Sequence, residues 1–182
     1  MDMQEVILVT ERDEEIGTME KMEAHRRGVL HRAFSIFIFD ERGNMLLQKR
    51  ASGKYHGAGL WSNACCSHPF PFESIEQAAE RRLQEELGFE TPIQKAFSFT
   101  YRAPVENDLI EHEFDHVFFG THGGKLAPNK EEVEAVTYLS MEDLEIRIQE
   151  QPAKFTKWFC IVFPQVKEWF NHSYSKQLNK SV

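Results

Sequence analysis

Residues 73–88 read Glu73-Ser-Ile-Glu-Gln-Ala-Ala-Glu-Arg-Arg-Leu-Gln-Glu-Glu-Leu-Gly88. Apolar side chains recur every four residues along this stretch, which places them on one face of an α-helix. These side chains are Ile75, Ala79, Leu83 and Leu87. Ser74 and Gln77 have the spacing of a capping box, and Gly88 is placed to end the helix. The stretch therefore predicts a helix from about residue 74 to residue 87 with one buried face.

Apolar runs on both sides of this helix predict strands. The run at 31–39 is apolar at both alternating sets of positions, which predicts a strand covered on both faces. The other predicted strands are at 5–10, near 16, and at 45–50, 93–101, 110–119 and 136–139. Helices are predicted at 21–27, from Ser140 onward, and at 154–174 with a kink or break at Pro164. This is an α+β fold, a mixed sheet with helices laid against it, in one domain over 1–182 with a frayed tail at about 173–182.

Composition excludes several classes of protein. A hydrophobic fraction of 41% with 15 Phe is typical of a folded core. The formal net charge of −8 is unfavourable for binding nucleic acid. No apolar run reaches the roughly 18 residues of a membrane span, and residues 1–5 lack the order of a secretory signal. Three Cys, two of them adjacent, do not form a disulfide framework, so we expect reduced thiols and a cytoplasmic protein.

A first group of side chains could bind a metal. Its members are His25, His31, His68, Glu111 and Glu113. In a strand, Glu111 and Glu113 point to the same face, where they would repel each other unless a cation or proton lay between them. The alternative is a solvated outer face. Mixed His and carboxylate ligands suit Zn²⁺ or Mn²⁺, and oxygen-rich ligands suit Mg²⁺.

A second group is basic and could bind an anion. Its members are Lys21, Lys49, Arg50, Lys54, Arg81 and Arg82. Arg50 and Lys54 flank the start of a Gly-containing loop, which suits an anion clamp. Arg82 and Glu86 are one helical turn apart, so a simple salt bridge between them is the alternative to a ligand-binding role.

Three cysteines remain to be assigned. Cys66 lies two residues before His68 and could be a nucleophile, a metal ligand or an acid/base group, or it could only pack. In an extended segment Cys65 points the other way, which predicts a packing role. Cys160, on an apolar helix, is predicted to lie in the core.

The quoted helix resembles the Nudix signature, a loop and helix that hold a divalent metal against a diphosphate. It departs from the signature twice: Ser67 stands at the leading Gly, and Arg82 stands where a Glu is expected after Arg81. Arg82 removes a metal ligand and adds a cation, so the resemblance implies diphosphate binding and puts diphosphate hydrolysis in doubt.

Other motifs resemble the type 1 isopentenyl-diphosphate isomerase family of this superfamily. The resemblance extends from about residue 3 to residue 170, and the Cys-x-His-Pro and Glu-x-Glu elements are its most specific parts. The motifs are Lys21-x3-His25-x5-His31, Arg50-x3-Lys54, Trp61-x-Asn63-x2-Cys66-x-His68-Pro69, the Arg82/Glu86 helix, Tyr101-Arg102-Ala103 and Glu111-x-Glu113.

The resemblance implies a reaction and a role for each residue. The reaction moves a double bond in a five-carbon diphosphate through a carbocation-like state. Cys66 on one side of the substrate and Glu113 with Tyr101 on the other would transfer protons, and Trp158, with Trp61 as a possible second wall, would face the cation. The implied metal ligands are His25, His31, His68, Glu111 and Glu113, with a second ion, Mg²⁺, between Glu86 and the diphosphate. The implied diphosphate ligands are Lys21, Arg50, Lys54 and Arg82.

Two other functions stay open on the sequence alone. They are a Nudix hydrolase of another diphosphate and a catalytically silent module that binds a diphosphate or a metal. We expect a small-molecule diphosphate substrate, a divalent metal (Mn²⁺, Zn²⁺ or Mg²⁺) and no flavin. We also expect no nucleic acid or membrane partner, and a monomer or weak dimer.

Overall fold

The computed structural model describes residues 4–174, without the side chains of 173 and 174, so the predicted tail lies almost wholly outside the described residues. The strands are Glu5–Val9 (β1), Glu15–Glu20 (β2), His31–Phe39 (β3), Met45–Arg50 (β4), Trp61–Ser62 (β5), Cys65–Ser67 (β6), Ile93–Pro104 (β7), Ile110–Thr121 (β8) and Val133–Leu139 (β9). The α-helices are Lys21–Arg27 (α1), Ile75–Leu87 (α2), Met141–Glu150 (α3) and Lys157–Trp169 (α4). A 3₁₀ turn at Pro152–Lys154 and a π-helical turn at Phe170–Tyr174 complete the described chain.

The strands form one mixed sheet around β3. The path β2-β1-β3-β4-β5 is antiparallel, β6 and β8 also pair with β3, β7 pairs with β8, and β9 pairs with β4. The β3–β8 pairing is parallel over nine residue pairs, and its first pair joins His31 to Glu113. This register places a candidate imidazole and a candidate carboxylate on neighbouring strands.

The two faces of β3 bury two separate clusters, as its sequence predicted. Phe37 and Phe39 pack in a cluster with side chains of β8 and α4, and Phe34 and Ile36 pack in a cluster with side chains of α2. The odd-numbered residues of β8 belong to the α4 side, because Val117 and Phe119 lie in that cluster. Glu111 and Glu113 therefore lie on the sheet face that α4 covers.

The predicted signature helix is confirmed. Ser74 accepts from the backbone N–H of Gln77 while the Gln77 side chain accepts from the N–H of Ser74, and Gly88 ends α2 with φ 72°. Ala79, Leu83 and Leu87 are buried. The loop before α2 contains a strained residue, since Phe72 has φ 70° and its side chain is fully exposed.

The other predicted strands and helices are present, but the last helix begins at Lys157, and the short strands β5 and β6 were not predicted. Strands β7 and β8 extend beyond the predicted ends, and β9 begins at Val133. The break at Pro164 is wrong, because α4 continues through it to Trp169. Pro164 is exposed, so water can replace the N–H donor that proline removes. Among the described residues no helix is long and apolar enough to cross a bilayer.

Candidate active site

One cavity of about 620 Å³ brings most of the candidate residues together. It lies where β6, the loop after β4, β8 and the N-terminus of α4 meet. The candidates that line it are Lys21, Arg50, Lys54, Cys66, His68, Arg81, Arg82, Tyr101, Glu111, Glu113 and Trp158. His25 and His31 are fully buried beside it.

Ring nitrogens of His25, His31 and His68 lie close together. His25 Nδ1 lies 2.6 Å from the carbonyl oxygen of Lys21, and His31 Nδ1 lies 2.8 Å from that of Val29. A carbonyl oxygen only accepts, so Nδ1 of each ring carries a hydrogen and Nε2 is the nitrogen that can bind a metal. His31 Nε2 is 3.2 Å from His68 Nε2, a contact that needs a proton or a cation between the nitrogens. Burial lowers the pKa of His68 to about 4, which keeps it neutral as a metal ligand must be.

The two carboxylates of β8 are buried, so the solvated-face alternative is wrong. Glu111 is 2% and Glu113 is 8% exposed. Glu113 Oε1 lies 2.8 Å from His68 Nε2 and 3.7 Å from His31 Nε2, and Glu111 Oε2 lies 3.4 Å from His25 Nε2. Burial alone would raise the pKa of Glu113, but its contacts with His31 and His68 hold that pKa well below the usual range.

The arrangement fits a divalent cation. Ligand atoms of His25, His31, His68 and Glu113 lie within 4.8 Å of one another. His25 Nε2 and Glu111 Oε2 are buried without a hydrogen-bond partner among the described residues, as expected of groups that need an ion. Glu111 forms a second possible metal-ligand group with His25 and His56. The five-ligand set implied by the sequence is therefore divided into two groups that share His25.

Cys66 lies in a cage of polar groups. Trp158 Nε1 donates to its sulfur at 3.2 Å, its thiol donates to Asn63 Oδ1 at 2.9 Å, and Ser35 Oγ is 3.4 Å away. Burial and the neighbouring Asp115 raise the pKa of the Cys66 thiol to about 12, which favours the protonated thiol. Cys65 is fully buried against the α2 side, as predicted, and Cys160 is only half-buried.

The basic residues line the other end of the cavity, where carboxylates partly neutralise them. Lys54 contacts Glu132, and Arg82 contacts Glu85, Glu86 and Glu132. Burial, followed by the charges of Lys54 and Arg82, lowers the pKa of Lys21 to about 8. A diphosphate would relieve this concentration of positive charge.

Three predicted residues have other surroundings than expected. Glu86 lies outside both ligand groups, and its oxygens contact Arg82 and accept from Gln48 at 2.9 Å. Trp61 packs against the hydrophobic cluster and is not part of the cavity wall. Arg81 lines the cavity, but its guanidinium makes a two-pronged contact with Glu73 at 2.7 and 2.8 Å.

Several residues of the site were not predicted from the sequence. His56 is buried against Glu111, and Ser35 links Cys66 to Asp115 through a 2.7 Å hydrogen bond. Asp115 continues the alternation of Glu111 and Glu113, a signal that could have identified it. His56 lies two residues after Lys54 in a loop, and no periodic pattern marks it.

Comparison with known proteins identifies the family. The NUDIX domain model matches residues 29–159. An isopentenyl-diphosphate Delta-isomerase 1 of Aromatoleum aromaticum is 53% identical, covering 86% of this chain and 90% of its own. An isopentenyl-diphosphate Delta-isomerase of Pectobacterium atrosepticum is 45% identical, covering 97% of this chain and 99% of its own. The crystal structure of DR0079 from Deinococcus radiodurans shares the fold, with a TM-score of 0.76 at 20% identity over 89% of this chain and 98% of that one. The chain belongs to the isopentenyl-diphosphate Delta-isomerase family of the Nudix superfamily.

Proposed function

We propose that the chain interconverts isopentenyl and dimethylallyl diphosphate by adding a proton at one carbon and removing a proton from another. An alkene is a very weak base, so protonating it gives a tertiary, carbocation-like state. The site must therefore supply an acid, a base on the far side of the substrate, and electron-rich walls between them.

The observation that carries this proposal is the placement of Cys66 and Glu113 on opposite sides of β3. Cys66 pairs with Ser35 on one side of β3, and Glu113 pairs with His31 on the other. Both side chains line the same cavity of about 620 Å³, which leaves room for a flat five-carbon unit between the thiol and the carboxyl group.

Each of the residues around the five-carbon unit has a separate role in the proposed reaction. In the direction of dimethylallyl diphosphate, the protonated Glu113–Tyr101 pair delivers a proton to the terminal carbon and the Cys66 thiolate removes one from the internal carbon; in the reverse direction the protonated thiol of Cys66 is the donor and the Glu113 carboxylate is the base. The Trp158 indole faces the cation, and its N–H holds the Cys66 sulfur at 3.2 Å. The Arg50 guanidinium lies 5.1 Å from the centre of the Trp158 ring. Arg50 therefore lies next to the aromatic wall and can also contact the diphosphate.

The charged groups bind the cation and the diphosphate. A divalent cation (Mn²⁺, Zn²⁺ or Mg²⁺) held by His25, His31, His68, Glu111 and Glu113 would make the Glu113 carboxyl group more acidic. Lys21, Arg50, Lys54 and Arg82 hold the diphosphate by charge-assisted hydrogen bonds. Glu86 would hold a Mg²⁺ carried with the diphosphate, in place of its present contact with Arg82. We propose Trp61 as a support of the Trp158 wall, since it lies behind the cavity.

One assay tests the function. Metal-loaded protein is incubated with isopentenyl diphosphate in D₂O and the products are followed by NMR. We expect dimethylallyl diphosphate carrying deuterium. Phosphate release without this product would indicate a hydrolase, and absence of turnover would indicate a binding module; either result contradicts the proposal.

We further propose a cytoplasmic monomer or weak dimer without nucleic-acid or membrane partners. The three cysteines are free thiols, which suits a reducing compartment. Analytical ultracentrifugation at several concentrations tests the state of association, and a stable higher oligomer would contradict it.

A further inference from the structure

His56 lies in the loop between β4 and β5 and contacts the metal site. It is 5% exposed, and its Nε2 lies 2.5 Å from Oε1 of Glu111. Neither ring nitrogen of His56 has an aligned hydrogen-bond partner among the described residues, and Glu111 is the carboxylate that contacts Nε2. With hydrogen on Nε2, the His56 ring can donate to this carboxylate oxygen.

We propose that His56 is a positioning residue for the metal site, which holds Oε1 of Glu111 so that Oε2 faces His25. The inference rests on the proposed function, because it assigns Glu111 to the cation of that site. Carboxylate ligands of metals are commonly oriented by a donor to their second oxygen. His56 provides that donor from a loop that supplies no other metal ligand.

The loop holds His56 firmly enough for such a role. The backbone carbonyl of His56 accepts a 3.0 Å hydrogen bond from Arg50, and its ring packs edge-on against Trp158 at 5.4 Å. Gly57 follows with φ 59°, and an added Cβ there would approach Arg50 Nε to 3.2 Å. The backbone N–H of Gly57 donates to Glu106 at 3.0 Å. These contacts fix the ring before any metal is bound.

His56 does not complete the ligand group of His31, His68 and Glu113. Those ligand atoms and that of His25 cluster within 4.8 Å of one another, whereas Glu111 and His56 form a second group with His25. Because His25 Nδ1 is engaged by Lys21, only His25 Nε2 is available, and one nitrogen cannot serve two ions. With one ion at His25 Nε2, Glu111 can add Oε2, which faces that nitrogen, and His56 contacts the other oxygen, Oε1.

The test compares His56→Ala and His56→Gln with the wild-type chain. The Gln amide nitrogen occupies nearly the position of His Nε2 and can donate to Oε1. His112→Gln is the matched control, since His112 lies on β8 between the two carboxylates but on the opposite face, with Nδ1 near the carbonyl of Gly28. Affinity for Co²⁺ is measured without substrate by competition with a chelator, and the absorption spectrum of bound Co²⁺ is recorded. Thermal denaturation of the metal-free variants monitors the fold.

We expect His56→Ala to weaken Co²⁺ binding about 10- to 100-fold, with His56→Gln and His112→Gln within about 3-fold of wild type. The Co²⁺ spectrum of His56→Gln should match that of wild type, and KM for isopentenyl diphosphate at saturating metal should be little changed. Unchanged affinity in His56→Ala, or equal losses in the Ala and Gln variants, would overturn the proposal. A Co²⁺ spectrum that loses a nitrogen ligand in His56→Gln would also overturn it, because His56 would then be a ligand. A wild-type chain that binds Co²⁺ but does not isomerise would contradict the proposed function and leave this inference standing.

Discussion

Tyr101 donates a 2.6 Å hydrogen bond to Oε2 of Glu113, while Oε1 of the same carboxylate faces His68 at 2.8 Å. The two oxygens of Glu113 therefore have different neighbours, a phenol on one side and imidazole nitrogens on the other. In the proposed mechanism this division would let the carboxyl group exchange protons at Oε2 while Oε1 faces the metal-binding imidazoles.

Removing either proton-transfer group should nearly abolish isomerisation. We expect Cys66→Ala and Glu113→Gln each to reduce kcat by at least about 100-fold, the usual contribution of an acid/base group. Near-ultraviolet circular dichroism should show an unchanged fold, because both side chains lie at the cavity. Retention of substantial activity by both variants would refute the assigned roles.

Substitutions of Trp158 should distinguish the effect of its aromatic ring on kcat from that of its N–H group. Trp158→Phe keeps an aromatic face but loses the hydrogen bond to Cys66, whereas Trp158→Leu loses both. We expect kcat to fall modestly in Trp158→Phe and by about 30-fold or more in Trp158→Leu, since a desolvated cation–π contact contributes about 2 kcal/mol. Equal losses in the two variants would show that the aromatic face contributes nothing.

The pH dependence of KM should report the ionisation of Lys21. Its pKa is lowered to about 8, so it is charged below that pH and neutral above it. Its attraction for the diphosphate is therefore present at neutral pH and is lost as the pH rises through about 8. We expect KM for isopentenyl diphosphate to rise above pH 8 in the wild-type chain. Lys21→Arg stays charged in this range, so its KM should remain flat; a parallel rise in Lys21→Arg would assign the titration elsewhere.

Metal removal should lower stability as well as activity. A ligand present at 100 times its Kd stabilises the native state by about 2.7 kcal/mol. For a chain of this size we expect metal to raise Tm by roughly 5–10 °C, measured by calorimetry with and without a chelator. His68→Ala should lose most of this shift while keeping a cooperative transition. An equal shift in His68→Ala would place the stabilising ion at another site.

Relieving the strain at Phe72 should stabilise the chain. Phe72 adopts φ 70° without burying its ring, and the left-handed region costs a residue with a Cβ about 1–2 kcal/mol. We expect Phe72→Gly to raise the free energy of unfolding by up to about 1 kcal/mol, after the greater entropy of an unfolded glycine is subtracted. Phe72→Ala keeps the Cβ and should not gain this stability. Urea denaturation distinguishes the two variants.

Residues whose placement follows from a local period were predictable from the sequence. Glu111 and Glu113 share a face because β8 alternates, and Arg82 and Glu86 meet because α2 turns every 3.6 residues. The boundaries of α2 followed from Ser74 and Gly88, whose side-chain and backbone preferences act over a few residues.

What could not be predicted depends on tertiary contacts. His56 lies in an aperiodic loop, and its burial against Glu111 depends on how that loop packs on β8. Trp61 matched a family motif but packs behind the cavity wall, because β5 turns its side chain toward the hydrophobic cluster. Pro164 stays helical because it lies on the exposed side of α4, which no local pattern reveals.

The parallel pairing of His31 with Glu113 also bears on how the chain folds. These residues are far apart in sequence, and closing a loop of that length is slow compared with forming a hairpin such as β7–β8. Shifting the pairing by one residue would turn every β8 carboxylate to the opposite face. Cation affinity should therefore appear late during refolding. Stopped-flow measurement of Co²⁺ binding by refolding chains would show when β8 pairs with β3.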